Sequence, residues 1–125
     1  MESRPLLVVD GANVVGSRPD GWWRDRAGAA ARLRDALASV GEAGVPPELS
    51  PPVQVVLVVE GAARHVTSAP GVEVVSAPGS GDDTVVELVA AAARRRRVVV
   101  TADRELRERV TALGAEVRGP RWLGR

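Results

Sequence analysis

Four runs rich in valine and leucine constrain this chain most: LLVVD at Leu6–Asp10, VQVVLVVE at Val53–Glu60, VEVVS at Val72–Ser76 and RVVVT at Arg97–Thr101. They are largely continuous and do not alternate apolar with polar residues. A strand that stays apolar along its length is buried on both faces, the condition of a parallel sheet covered by helices. Helical patterns lie between the runs. From Asp25, the residues Ala30, Leu33, Leu37 and Val40 recur at helical spacing, with Gly41 placed to stop the helix. A second helix is predicted from Asp82 to about Arg95. A third runs from Asp103 to Leu113, with Leu106, Val110 and Leu113 on one face and Gly114 at its end. Ala115–Arg118 reads as a fifth, edge strand. Val45–Pro52, with four prolines, and Pro78–Gly81 read as loops. Gly61–Gly71 leaves room for one helical turn. The expected fold is a three-layer α/β/α sandwich with a mainly parallel sheet of four to five strands, as one domain over residues 1–125.

Composition removes several chemistries. Without cysteine there are no disulfides or thiolate metal sites. Without lysine there is no P-loop, Schiff-base or receiver-domain chemistry. All 17 basic residues are arginine, whose forked guanidinium matches phosphate oxygens. The net charge of +1 does not by itself announce a nucleic-acid binder. No apolar run has the length of a membrane span or a signal-peptide core, so a cytoplasmic protein is expected.

The acids are more informative. In a parallel sheet, ligands bind beyond the carboxyl ends of the strands, where strand order reverses. Asp10 ends the first strand, Glu60 ends the second, and Asp103 lies just past the fourth. Asp82 and Asp83 open a helix after a glycine-rich loop. All five fall at the same edge. Asp82, Asp83 and Asp103 also read as ordinary helix N-caps. Gathered together, however, carboxylates about 5 Å apart repel by roughly 3 kcal/mol per pair at an effective dielectric near 20. A hard divalent cation relieves this, and oxygen-only ligation points to Mg²⁺ or Mn²⁺. Asn13 either orients Asp10 or a substrate oxygen, or is a turn residue. Thr101 either places a hydroxyl at the site or is a β-branched strand residue. Glu87 shares a helix face with Asp83, as a water-mediated ligand or a solvent-facing residue.

Three motifs in order, VVDGANVV, GDDTVVELV and VVVTADRELRERV, resemble the NYN domain, a branch of the PIN-like nuclease superfamily, and its bacterial YacP-like members in particular. They extend over nearly the whole chain. The resemblance implies a PIN-like parallel sheet with an acidic, divalent-metal centre, and many members cleave RNA. It implies catalytic and metal-binding roles for Asp10, Asp83 and Asp103, with Asp82 as the alternative to Asp83 and Glu60 as a further acidic ligand. It places Asn13 beside the first aspartate and Thr101 in the hydroxyl-bearing position before Asp103. The sequence ends at Arg125, where longer relatives continue, which bears on the C-terminal side of the site and on dimer contacts there.

The implied activity is that of a metal-dependent ribonuclease, an endoribonuclease hydrolysing RNA phosphodiester bonds with Mg²⁺ or Mn²⁺. Single-stranded RNA is the expected partner. Arg18, Arg24, Arg26, Arg64 and Arg104 are the expected phosphate contacts at the acidic edge, with Asn13 and Thr101 also assigned to substrate. Trp22 and Trp23 either stack on bases or plug the core. His65 reads as a surface residue. The run Arg94–Arg97 sits at the opposite end of the sheet, where helix-dipole complementarity accounts for it; a secondary contact to RNA, the ribosome or another RNA-processing factor is the alternative. Monomer and homodimer both stay open. The rival function is a non-catalytic RNA- or protein-binding module on the same fold. A toxin-like nuclease with an antitoxin partner is a further rival. A haloacid-dehalogenase phosphatase fits less well, because Ala12 stands where a second aspartate belongs. Dinucleotide binding fails for want of a Gly-x-Gly turn after the first strand.

Overall fold

The computed structural model describes residues 2–123. Five strands, β1 (Leu6–Asp10), β2 (Gln54–Val59), β3 (Glu73–Ser76), β4 (Arg97–Val100) and β5 (Glu116–Arg118), form one sheet in the order β3-β2-β1-β4-β5. Every pairing is parallel. Strand order reverses beside β1, the central strand, which lies between β2 and β4.

Both faces of β1 are covered, which is why its sequence does not alternate. Leu7 and Val9 join Leu57, Val59 and Val100 against the helices α1 (Gly11–Gly16) and α2 (Arg26–Leu37), through Val14, Ala30, Leu33 and Leu37. Leu6 and Val8 join Val56, Val58 and Val99 on the other face. There they meet α4 (Gly81–Ala91) and α5 (Arg104–Thr111) through Val85, Val89, Leu106 and Val110. Each such aliphatic side chain contributes roughly 1.5–3 kcal/mol on full burial. Among the described residues, no helix is long and apolar enough to cross a membrane.

Three expectations need correction. The segment after β1 is a helix, α1, and not merely a turn. Its sequence, GANVVG, is short and rich in poor helix formers; it folds because Asp10 caps it and Val14 and Val15 are buried. The first long helix stops at Leu37, and a short helix, α3 (Val40–Ala43), follows it. Gly41 lies inside α3, where its carbonyl accepts the Val53 N–H at 2.8 Å. The stop is Gly44, with φ +69°, a backbone state that strongly favours glycine. Finally, α4 ends at Ala91, so Arg94–Arg96 belong to the turn before β4, and Arg97 is the first residue of that strand.

Candidate active site

Asp10 is only 5% exposed. Its Oδ2 accepts the Thr101 hydroxyl at 2.8 Å, and its Oδ1 accepts the Asn13 N–H at 3.4 Å as the cap of α1. Thr101 is fully buried, and its oxygen also accepts the Asp103 N–H at 3.1 Å. Asp103 in turn caps α5, with Oδ1 accepting the Leu106 N–H at 2.9 Å. Asn13 Oδ1 accepts the Ala102 N–H at 2.8 Å, tying α1 to the loop after β4. Asn13 and Thr101, expected to contact substrate, are thus bonded within the protein. They position Asp10 and the loop that carries Asp103.

Glu60 follows β2, and its Oε2 accepts the Gly81 N–H at the start of α4. Asp82 is half-buried on the first turn of α4, where the charges of Asp103, Glu60 and Glu105 act on it. Burial pushes the Asp10 carboxyl above the ordinary aspartate range; the Thr101 and Asn13 hydrogen bonds oppose the shift, and the negative charges of Asp82 and Glu60 add to it. Asp82 is also pushed up, first by burial and then by the charges of Asp103 and Glu60. Arg109 pulls it down, and Glu105 adds a smaller push. Among the described residues, Asp10 has no ion pair.

Asp83 behaves differently. Its side chain is 67% exposed and pairs with Arg109 at 3.0 Å. The aspartate that joins the other acids is Asp82, although the family pattern pointed first to Asp83. Glu87, on the same side of α4 as Asp83, is exposed. Sequence reasoning missed Glu105, on the first turn of α5, whose charge acts on Asp82 although β4 separates the two in sequence.

The arginines divide as well. Arg26 lies over the Trp22 ring, 5.2 Å from its centroid, beside the end of β1. Arg24 lies 5.8 Å over Trp23, which is 57% exposed. Arg64 is exposed just after β2, and Arg104, exposed at the start of α5, lies 3.7 Å from Glu108. Arg18 does not reach the acids; it packs beside Leu33, Leu37 and Val40, on the far half of α2. His65 is exposed. Trp22 is half-buried against the core, so only Trp23 presents most of its ring to solvent.

The donor set is all oxygen. Among the described residues, no three acidic or histidine side chains form a set that could hold an ion by themselves. A Mg²⁺ site does not need one, since this ion commonly uses one or two carboxylates and completes its shell with waters and substrate phosphate oxygens. Asp10 and Asp82, buried or half-buried and without an ion pair among the described residues, have the chemistry for that arrangement.

No family model matches the sequence, and no curated protein matches it. In fold, the chain is similar to crystal structures of Rae1 (YacP) from Bacillus subtilis. One, of the protein, superposes with a TM-score of 0.72 at 20% identity, covering 98% of this chain and 71% of that one. Another, of a mutant form, gives 0.73 at 19% identity, covering 95% and 72%. The chain therefore shares the α/β fold of Rae1 (YacP), with a buried aspartate at the central turning point of its all-parallel sheet.

Proposed function

We propose that this chain is a metal-dependent ribonuclease, an endoribonuclease that hydrolyses phosphodiester bonds of single-stranded RNA. The observation that carries the reading is Asp10. It is a buried carboxylate at the reversal of strand order, held by two hydrogen bonds, with the negative charges of Asp82 and Glu60 acting on it. A group so placed is costly to the fold, and such costs concentrate at functional sites. Similarity to the Rae1 fold supports the same reading.

Asp10 and Asp82 would hold Mg²⁺ or Mn²⁺, with Asp103 and Glu60 bordering the site; Asp82 takes the role that the family pattern gave first to Asp83. The bound ion supplies Lewis-acid polarisation of a phosphoryl oxygen and a water nucleophile at neutral pH. Thr101 and Asn13 fix the direction of the Asp10 oxygens. Arg24, Arg26, Arg64 and Arg104 lie on the segments that follow β1, β2 and β4, where their charges can meet the phosphate backbone.

The test is Asp10→Asn. Shape is retained, so the variant folds. Metal-dependent cleavage of a single-stranded oligoribonucleotide falls at least about a hundredfold, since an amide is a much weaker ligand for these ions. Stabilisation by added Mn²⁺ in thermal melts shrinks in step. Cleavage at the wild-type rate would place the chemistry elsewhere. RNA binding by the wild type, with neither cleavage nor a Mn²⁺-dependent melt, would make the protein a binding module.

A further inference from the structure

A cavity of about 380 Å³ opens on the α1–α2 side of the sheet, beside the end of β1. It is hollow because its walls are small: Gly11, Ala12, Ala30, Ala62 and Ala63 line much of it. The strand end is flat there for a structural reason, because a Cβ on Gly11 would lie 2.5 Å from the Val58 carbonyl oxygen. Two polar groups converge on this hollow. On one side Arg26 lies over the half-buried ring of Trp22, forming a cationic, aromatic wall. On the other stands Glu60, whose Oε2 is fixed by the Gly81 N–H. A carboxylate can accept about four hydrogen bonds, so capacity remains for a ligand. Glu60 belongs both to this hollow and to the acidic edge, since its charge acts on Asp10 and Asp82.

We propose that this cavity holds one base of the RNA strand, adjacent to the scissile phosphate, and that it selects a base with an exocyclic amine. A planar ring fits between small walls and against Trp22 and Arg26, as bases do on aromatic and guanidinium surfaces. Its phosphate then passes over Gly11 and Ala12 towards the acids. Glu60 accepts from an amine such as N4 of cytosine, whereas O4 of uracil would meet the carboxylate with like charge. The identity of the ligand rests on the ribonuclease reading; the shape and the acceptor do not.

The experiment is metal-free titration of the protein with cytidine and with uridine, read by tryptophan fluorescence and, at Trp22 and Ala62, by amide NMR shifts. Cytidine binds at least about tenfold more tightly than uridine, the scale of one good base-edge contact. Glu60→Gln abolishes that preference, because an amide can donate to O4. Ala62→Leu, which fills the cavity from an exposed position, weakens cytidine at least tenfold; Arg94→Gln, at the other edge of the sheet, leaves it unchanged. A parallel assay compares cleavage of two oligoribonucleotides that differ only by cytosine or uracil at one position. Cytidine binding without any RNA cleavage would support the pocket and defeat the ribonuclease reading. Cleavage with no nucleoside shifts at Trp22 and Ala62, and equal rates on the two strands, would support the ribonuclease and overturn the pocket. Equal affinity for both nucleosides would overturn the role of Glu60.

Discussion

The two ends of the sheet treat charge in opposite ways. At the amino end, arginines bind carboxylates and carbonyls. Arg96 pairs with Glu116 at 2.7 Å and donates to the Glu48 carbonyl, and Arg95 donates to the Arg4 carbonyl. Buried Arg97 donates to the Val89 carbonyl at the end of α4. Glu116 is pulled below the usual carboxylate range by Arg96. At the carboxyl end, Asp10 and Asp82 are pushed up by burial and by other acids. The net charge of +1 conceals this division. A cluster of arginines can thus be purely structural, while a few carboxylates at the other end carry the unresolved electrostatics that a ligand would settle.

The sharpest way to break the contrast is at Arg97. Arg97→Ala removes one of the two donors to the Val89 carbonyl, leaving the Ala92 N–H, and opens space in the core, and should cost about 2–4 kcal/mol in denaturant melts. A loss below about 0.5 kcal/mol would show that the amino end does not depend on its pairing. Next comes Thr101→Val, a near-isostere. It removes the donor to Asp10 and the acceptor for the Asp103 N–H, for an expected cost of about 1–3 kcal/mol. The Asp10 carboxyl then rises further, so the acid limb of any cleavage profile moves to higher pH. An unmoved limb would separate Thr101 from the tuning of Asp10.

Comparing wild type with Asp10→Asn across pH, without metal, isolates the charge of Asp10 itself. Its folded pKa is raised, so the stabilising contribution is fully present below the ordinary value of 3.8 and lost as pH rises through the folded value. The variant should therefore be level with or above the wild type at pH 7, by up to about 1 kcal/mol, with the gap closing as pH falls towards 4. Groups such as Glu116 titrate in both proteins and cancel. A variant markedly less stable at neutral pH would make Asp10 a structural cap first. The smallest effect is expected at Arg94, exposed in the same arginine run. Arg94→Gln should change stability by less than about 0.5 kcal/mol and cleavage by less than about threefold, which is roughly 0.6 kcal/mol of barrier.

Much of this was legible in the sequence. Buried β1 announced a parallel sheet, and strand ends carried the acids to one edge. The choice between Asp82 and Asp83 depended on the rotation of α4, and the signal was present: Asp82 stands three and seven residues before Val85 and Val89, both fully buried. Asp82 therefore leans towards the core face and Asp83 away from it. Glu105 was hidden because only packing of α4 against α5 brings it near. Arg18 was misplaced because a loop sequence does not specify where a long side chain turns. The helix α1 escaped because local propensity opposes it and only burial of its valines makes it form.

The loop from Thr101 to Asp103 has one further consequence. Its Ala102 and Asp103 amides lie outside any helix or strand, yet each donates to a side chain, Asn13 Oδ1 and Thr101 Oγ1 respectively. Asn13 is on α1, and Thr101, which directly follows β4, is buried and bonded to Asp10 and to the Arg118 carbonyl. Amide protons here should exchange with solvent as slowly as those of the flanking strand, opening only when α1 or β4 detaches. On the timescale of hydrogen exchange this stretch belongs to the sheet, and a backbone without regular secondary structure keeps the rigidity of the core.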